Sequence, residues 1–453
     1  MSMDRFEQLT EQPIKKLLYT FSVPAIVGMV VNAIYNIISS IFVGLFINEE
    51  ALAAVTFAFP IMLVLFALSV LIGIGGSSLL SLKLGANRKR EANLILGNIF
   101  TLSVIFYIIS TAIMVFFLTE ILTFLGASNQ VLVYAEIYTL AIVWGSIAMY
   151  LSFTLNTAIR AEGNPKVAMI TLLIAAVICV ILNPIFIITL DMGVLGSALA
   201  VVIAQGVSAV WVIAYFFTKT SVLKLQFLNL FLRKKIVKEI FTIGLAPFAM
   251  QLAASLVFVI SNFQLLAYGG DLAVAAGGVI NRVFMLILMP IIGVSQGAQP
   301  ILGYNYGAGN FKRVLQTLKL ASWTATACAL IGCVFCQVFA EFIIRSFNNN
   351  PELIAIGSLG IRIFTIALPI IGFQIIAVSY FQSIGKPIQS GFLSISRQVL
   401  FFIPLLLVLP NYFELNGIWL ATPVSDVLGA ICCVGFLYFE AKRIDKLTKE
   451  KSY

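Results

Sequence analysis

Histidine is absent from all 453 residues. Without imidazole there is no histidine metal site and no histidine-based acid or base, so any proton coupling falls to carboxylates. Charge is scarce as well: 10% of residues are Asp, Glu, Lys or Arg, 61% are hydrophobic, and the mean hydropathy is +1.05. That balance excludes a water-soluble globule of this size and reads as a polytopic membrane protein. Cysteine is sparse, and Cys179, Cys328, Cys333, Cys336, Cys432 and Cys433 all sit in apolar runs, where thiols behave as small hydrophobes. The Cys333-x-x-Cys336 spacing within one apolar helix reads as chance rather than redox or metal chemistry. A signal peptide is not read either, since Met1 to Lys16 carries Asp4, Glu7 and Glu11 and no small-residue cleavage site. This stretch is expected to be a cytoplasmic tail.

What is present is a succession of apolar runs. Runs of about 20 residues, the length a spanning helix needs, begin near Leu17, Ala51, Asn93, Val131, Val167, Val194, Ile240, Ala273, Leu315, Leu353, Gln389 and Gly417. The stretch Thr218–Glu239 interrupts them. It carries Lys219, Lys224, Arg233, Lys234, Lys235 and Lys238 with one acid, Glu239, and Leu and Phe between. Such a segment reads as a basic amphipathic connector along the cytoplasmic face, with a solvated charged loop as the plainer alternative. The expected organisation is therefore a first lobe at 1–217, the connector at 218–239 and a second lobe at 240–453 with a basic tail. Starting inside, roughly 24 of the 28 basic residues fall on inner segments, as the positive-inside rule requires, so both termini are expected in the cytoplasm. The net charge of +9 is explained by anionic lipid, with no nucleic-acid partner needed.

The halves repeat each other. Ala53-Ala54 returns as Ala275-Ala276, Leu84-Gly85-Ala86-Asn87 as Tyr306-Gly307-Ala308-Gly309, and Gly163-Asn164-Pro165 as Gly385-Lys386-Pro387, each 222 residues on. Pro24 returns as Pro247, one residue adrift, and Gly193 as Gly417, two adrift. Six spans per half bring the second repeat back in the same orientation, related by an axis along the membrane normal. The expected fold is an all-α membrane protein of twelve helices in two parallel six-helix repeats, with a cleft between lobes.

Ionisable groups at membrane depth are costly and are default functional candidates. Asp426 lies nine residues past Gly417 and Arg397 ten past Pro387, so each sits roughly 14 Å along its helix, near the midplane, where the two can meet. A proton-coupling role and a structural lock both remain open for this pair. Glu136, near the outer end of the fourth helix, is a further coupling candidate, with a water-exposed interfacial acid as the plainer reading. Arg282 and Arg362 add charge to the second lobe. Candidates for a substrate-lining role are Tyr35, Asn36, Asn156, Gln205, Gln251, Met289 and Gln296, whose aromatic, soft and amide groups suit flat cations; helix-to-helix hydrogen bonding is the plainer use of each polar one.

Several local motifs carry a family likeness. Pro24 with Asn32-Ala-Ile-Tyr-Asn36 and Ile41-Phe-Val-Gly44, Arg160-Ala-Glu-Gly-Asn-Pro165, Tyr268-Gly-Gly-Asp271, Gln296-Gly-Ala-Gln-Pro300 and Gly303-Tyr-Asn-Tyr-Gly-Ala308 are among them. Phe381-Gln-Ser-Ile-Gly385, Arg397-Gln398 and Trp419-Leu-Ala-Thr-Pro-Val-Ser-Asp426 continue the series. In this order the whole chain resembles the multidrug and toxic compound extrusion (MATE) family, closest to its MepA-like bacterial branch. The resemblance implies a V-shaped two-lobe antiporter that exports organic cations against protons or sodium ions. It also implies a departure: an aspartate usual on the first helix, an asparagine and aspartate on the fifth and a threonine on the sixth align with Ser39, Cys179, Asn183 and Val201. These offer no carboxylate, so the usual first-lobe cation site is dismantled, and a proton gradient is favoured over sodium, with no cofactor or metal.

The reading is a secondary antiporter of small organic, often cationic, compounds in the cell membrane, a monomeric transport unit in contact with membrane lipid. Export or flipping of an anionic or lipid-linked metabolite on the same fold is the alternative, and a transport-inactive sensor is another. An intramembrane enzyme would need paired acids, a metal site or a nucleophile beside a base, and the sequence supplies none of these at membrane depth.

Overall fold

A computed structural model describes residues 9–46, 49–125 and 129–450; within these the side chains of 36–37, 39–41, 43–46, 49–53, 56, 129–130 and 445–450 lie outside the description. Among the described residues the chain is almost entirely helical outside the connector, with no strand. In chain order the helices are α1 (Ile14–Phe46), α2 (Glu49–Gly85), α3 (Lys89–Phe124), α4 (Asn129–Ala161), α5 (Pro165–Pro184, continuing as a π-helical turn Ile185–Thr189) and α6 (Gly193–Tyr215). After the connector, Lys234–Gly307 is one helical stretch of 74 residues. At 1.5 Å per residue it would be about 110 Å long, several times a bilayer core, so it cannot be one span. Gly270, at φ 61° and ψ −163°, breaks it into α7 and α8. There follow α9 (Phe311–Arg345), α10 (Pro351–Thr365 and Leu368–Ser383, bent by 46°), α11 (Pro387–Ile395, a π-helical Ser396–Phe402 and Ile403–Val408) and α12 (Pro410–Glu450, broken at Glu414). The expected twelve-helix fold is what the chain adopts, with each start within a few residues of its apolar run.

The turns between helices show why the repeat is visible in sequence. Asn87 and Gly309 both take positive φ (58° and 76°), as do Gly163 and Gly385 (92° and 72°), in the tight turns that reverse the chain. Such backbone favours glycine or asparagine. Proline then opens the next helix at Pro165 and Pro387, where its missing N–H is no loss. The kinks of α3 at Phe117 and of α9 at Phe339 keep the same 222-residue register in the last two turns of their helices.

Two compact units divide the chain, Val27–Phe248 and Met1–Ile26 with Ala249–Tyr453. Both boundaries fall inside helices, α1 and α7, whereas the lobes expected from sequence part at the connector. The cause is local packing. A Cβ on Gly75 of α2 would stand 2.3 Å from the Ile240 carbonyl oxygen, and one on Gly244 of α7 would stand 1.9 Å from that of Leu71. The start of α7 therefore lies backbone to backbone on α2 within the first unit. In the second unit a Cβ on Gly297 of α8 would stand 2.7 Å from Ser22 Cα, so the start of α1 lies on α8 in the same manner, at the same register.

The connector is not a helix over most of its length. It is irregular from Ser221, makes a single 3-10 turn at Phe227–Asn229 and becomes helical at Lys234. Its backbone is bound instead by α3: Asn93 Oδ1 accepts from Lys224 N (2.9 Å), Asn98 Oδ1 from Arg233 N (2.9 Å), and Thr101 Oγ1 donates to Leu230 O (2.7 Å). Phe227, Leu228 and Phe231 remain exposed beside the lysines, the pattern of a segment lying in a membrane interface.

Candidate functional site

Polar groups inside the first unit pair neutral with neutral. Ser103 and Thr154 hydroxyls meet at 3.0 Å, Thr157 donates to Gly73 O at 3.0 Å, and Asn156 Nδ2 donates to Ala168 O at 2.8 Å, which ties α4 to α5. At its end, buried Glu162 accepts from Tyr215 Oη, Ser221 Oγ (3.0 Å) and Leu223 N (3.2 Å), fastening the start of the connector.

The second unit holds charge at depth. Asp426 of α12 is fully buried, and Arg397 Nε lies 2.9 Å from its Oδ1 as an ion pair. The angle falls outside hydrogen-bonding geometry, so both carboxylate oxygens are buried with no hydrogen-bond donor. Asp426 stands twelve residues past the Glu414 break, about 18 Å along the helix and hence well inside the bilayer core. Arg397 belongs to the π-helical part of α11, a local widening found often at functional sites. Gln374 of α10 donates through Nε2 to the Asp426 backbone carbonyl. The Gln374, Gln398 and Thr422 side-chain oxygens are buried without hydrogen-bond partners. Gly429, a turn beyond Asp426, lets the helices close in: a Cβ there would stand 3.0 Å from Gln374 Nε2 and 3.4 Å from Arg397 Cβ. Three helices thus converge on one carboxylate with several unspent hydrogen-bonding atoms, an arrangement that can hold a proton or an ordered water.

The remaining sequence candidates are dispersed. Glu136 is half-buried and accepts from Thr119 Oγ1 at 2.5 Å, which bridges α3 and α4. Arg282 and Arg362 are exposed, and neither is among the ion partners of Asp426 in the described residues. Tyr35, Gln205, Gln251, Met289 and Gln296 are half-buried; Asn36 and Ser39 have side chains outside the described residues. Asn183 is buried and donates to Cys179 O (2.9 Å) and Sγ (3.2 Å), while Val201 packs with Ala58, Tyr138 and Ala198. Sequence reasoning passed over Gln374, Gln398 and Thr422. A polar residue in each apolar run was the available signal, but nothing in one dimension aligned their depths. A second buried pair, Lys386 with Glu440, also joins α11 to α12 nearer their ends.

Comparison with known proteins follows the repeat. A model of the MatE family matches residues 24–185 and 247–408, one segment in each half. The multidrug export protein MepA of Staphylococcus haemolyticus is 26% identical over 434 residues, 96% of this chain and 95% of that protein. Among solved structures, an outward-facing multidrug resistance MATE family transporter of the MOP superfamily superposes with a TM-score of 0.92 at 26% identity, covering 99% of this chain and 100% of that one. The MATE multidrug transporter DinF-BH does so with a TM-score of 0.88 at 38% identity, covering 94% and 97%.

Proposed function

The chain belongs to the MatE family, and on that premise we propose that it is a secondary antiporter in the cell membrane that exports small organic compounds, many of them cationic, against entering protons. It is a transporter rather than an enzyme. Relatives named as multidrug exporters along almost the full chain support the substrate class. Both termini are taken as cytoplasmic and the single chain as the transport unit.

The observation that carries proton coupling is Asp426, a carboxylate with no accessible surface whose charge is balanced by one arginine. A coupled transporter needs two states that differ in affinity for the ion. With Arg397 against it, Asp426 holds its charge; if the π-helical segment carries Arg397 away, an uncompensated carboxylate at that depth takes a proton instead. Movement of one arginine thus converts a conformational change into proton uptake or release. Sodium is disfavoured because Cys179, Asn183 and Val201 supply no charged oxygen, and hard cations prefer such ligands. Export of an anionic or lipid-linked compound is the rival reading, and it leans on Arg282, Arg362 and Arg397; the last is already neutralised by Asp426.

The test is counterflow of a cationic rhodamine dye in liposomes holding the purified chain, with proton and sodium gradients imposed separately. Accumulation is expected under the proton gradient, and Asp426→Asn abolishes it. Undiminished proton-driven transport by that variant, or transport driven by sodium alone, overturns the coupling assignment.

A further inference from the structure

A groove of about 470 Å3 opens on the second unit between α9, α10 and α12, and it shares no residue with the Asp426 cluster. Its floor is apolar, with Leu315 and Leu318 from α9, Phe373 from α10 and Leu437 from α12. Ser322, Thr326, Trp323 and Lys319 complete one stripe of α9. Trp323 is 67% exposed.

The repeat explains both why the groove exists and what it lacks. In the first unit the same register positions are Phe100, Val104 and Leu151, with Ile213 matching Leu437 in the slightly shifted last helix; these pack together around Ala148 and Ala209. In the second unit Phe100 becomes Ser322 and Val104 becomes Thr326. The phenyl ring lost at Ser322 opens the space; Phe373 in place of Leu151 offsets part of that volume, and Thr326 is isosteric with Val104. The positions through which α3 holds the connector also have counterparts. Asn93, Gly97, Asn98 and Thr101 become Leu315, Lys319, Leu320 and Trp323. Where a Cβ on Gly97 would meet Asn229 O at 2.0 Å, α9 carries a lysine, and every side chain that bonds the connector backbone is replaced by an apolar one. The positions that hold the connector backbone in the first repeat therefore do not hold one here. In addition α12 runs on as helix to Glu450, past the point where α6 stops at Tyr215 and the chain folds back.

An apolar trough with a lysine and an exposed tryptophan at the interfacial end of a spanning helix matches one kind of ligand. We propose that this groove is a binding site for an anionic glycerophospholipid, one acyl chain lying along Ser322, Thr326 and Phe373 and the phosphate at Lys319. Lys319 is eight residues past the start of α9, about 12 Å, where a lysine stem lies along apolar surface and its ammonium reaches back to the phosphates, with Trp323 one turn deeper. Lys312, exposed two turns towards the helix start, extends the positive field; Arg313 is engaged with Asn305 and with the Leu9 and Gln12 carbonyls. The first repeat fills its equivalent site with its own chain. The second fills it with lipid.

The experiment is fluorescence quenching by brominated lipid, which needs no transport and so succeeds or fails independently of the export reading. The full chain is placed in phosphatidylcholine vesicles into which brominated phosphatidylglycerol or brominated phosphatidylcholine is titrated. The difference between the wild type and Trp323→Phe isolates the Trp323 signal. Saturable quenching is expected, at about fivefold lower mole fraction for the anionic lipid, the size of one lysine acting at an anionic surface. Lys319→Gln, a change at an exposed residue, is expected to bring the two lipids together, and Ser322→Phe to remove the saturable component. Quenching of Trp323 that rises linearly and equally with both lipids overturns the proposal, because that is ordinary contact with bulk lipid. So does saturable quenching that appears only after truncation beyond Ile444, which would assign the groove to the chain's own tail.

Discussion

Arg397 Nε and Asp426 Oδ1 stand 2.9 Å apart on adjacent helices, the aspartate fully buried and the arginine side chain 27% exposed. The pair is asymmetric in consequence. Asp426 has no water to fall back on, whereas Arg397 has a route outward, so any rearrangement that parts them moves the arginine and leaves the carboxylate to be neutralised by a proton. Gln374 reaches the Asp426 backbone carbonyl, and the side-chain oxygens of Gln374, Gln398 and Thr422, on the same three helices, are buried without partners. The first unit, with its hydroxyl and amide pairs, shows no comparable charge among the described interior residues between the helix ends.

Lock and coupling are separated by a double-variant cycle. Arg397→Leu strands a buried carboxylate and is expected to cost about 3–5 kcal/mol of stability, while Asp426→Asn costs less because the Arg397 side chain is only partly buried. Arg397→Leu with Asp426→Asn removes both charges and is expected to recover most of that loss in thermal unfolding in detergent, yet to remain without proton-driven dye transport. Restored transport in the double variant would reduce the pair to a fastening between α11 and α12.

The connector prediction concerns α3. Asn98→Ala leaves Arg233 N and Phe231 O without their partner and is expected to weaken docking by about 1–3 kcal/mol, the cost of stranded backbone groups. Gly97→Ala is expected to be worse, since its Cβ has no place beside Asn229 O. Faster hydrogen exchange at 229–233 and earlier tryptic cleavage at 233–235 are the readouts. Leu320→Ala, at the register of Asn98 in the other repeat, is expected to leave both unchanged.

Much of the fold was legible in sequence because the membrane requires it: spans must be long and apolar, positive charges gather on one side, and the turns need Asn87, Gly163, Gly309 and Gly385 where φ is positive. Depth along a helix placed Asp426 and Arg397 level with each other for the same reason, a fixed rise per residue. Other features were not legible. The charge pattern of Thr218–Glu239 leaves an interfacial amphipathic segment and a solvated loop both open, and nothing in it shows that Asn93, Asn98 and Thr101, over a hundred residues earlier, take up its backbone bonds. Asn156 had two uses on paper, and contact with the Ala168 carbonyl commits its amide to helix packing. The groove at Ser322 is invisible until the two repeats are compared in three dimensions, since a serine in an apolar helix signals nothing by itself.

The last prediction tests the crossings that hand the start of each repeat's first helix to the opposite unit. Gly75 and Gly244 share one crossing, where added methyls would stand 2.3 and 1.9 Å from the Ile240 and Leu71 carbonyl oxygens; Gly297 serves the other, against Ser22. Backbone atoms stand within 2.7 Å at both crossings, so swinging a side chain such as Ser22 away does not relieve the clash, and Gly75→Ala, Gly244→Ala and Gly297→Ala are each expected to push helices apart and cut the yield of monodisperse protein. Gly206→Ala is the control: nothing lies within 4 Å of its Cβ, and a gain of about 0.5–1 kcal/mol follows from alanine's better helix propensity. Combining Gly75→Ala with Gly244→Ala is expected to be less than additive in thermal unfolding, because the first substitution already separates the pair of helices that the second would clash with. Gly75→Ala with Gly297→Ala touches both crossings and is expected to add fully. Additivity in both combinations would mean that Gly75 and Gly244 do not meet, and the exchange of half-helices would fall with it.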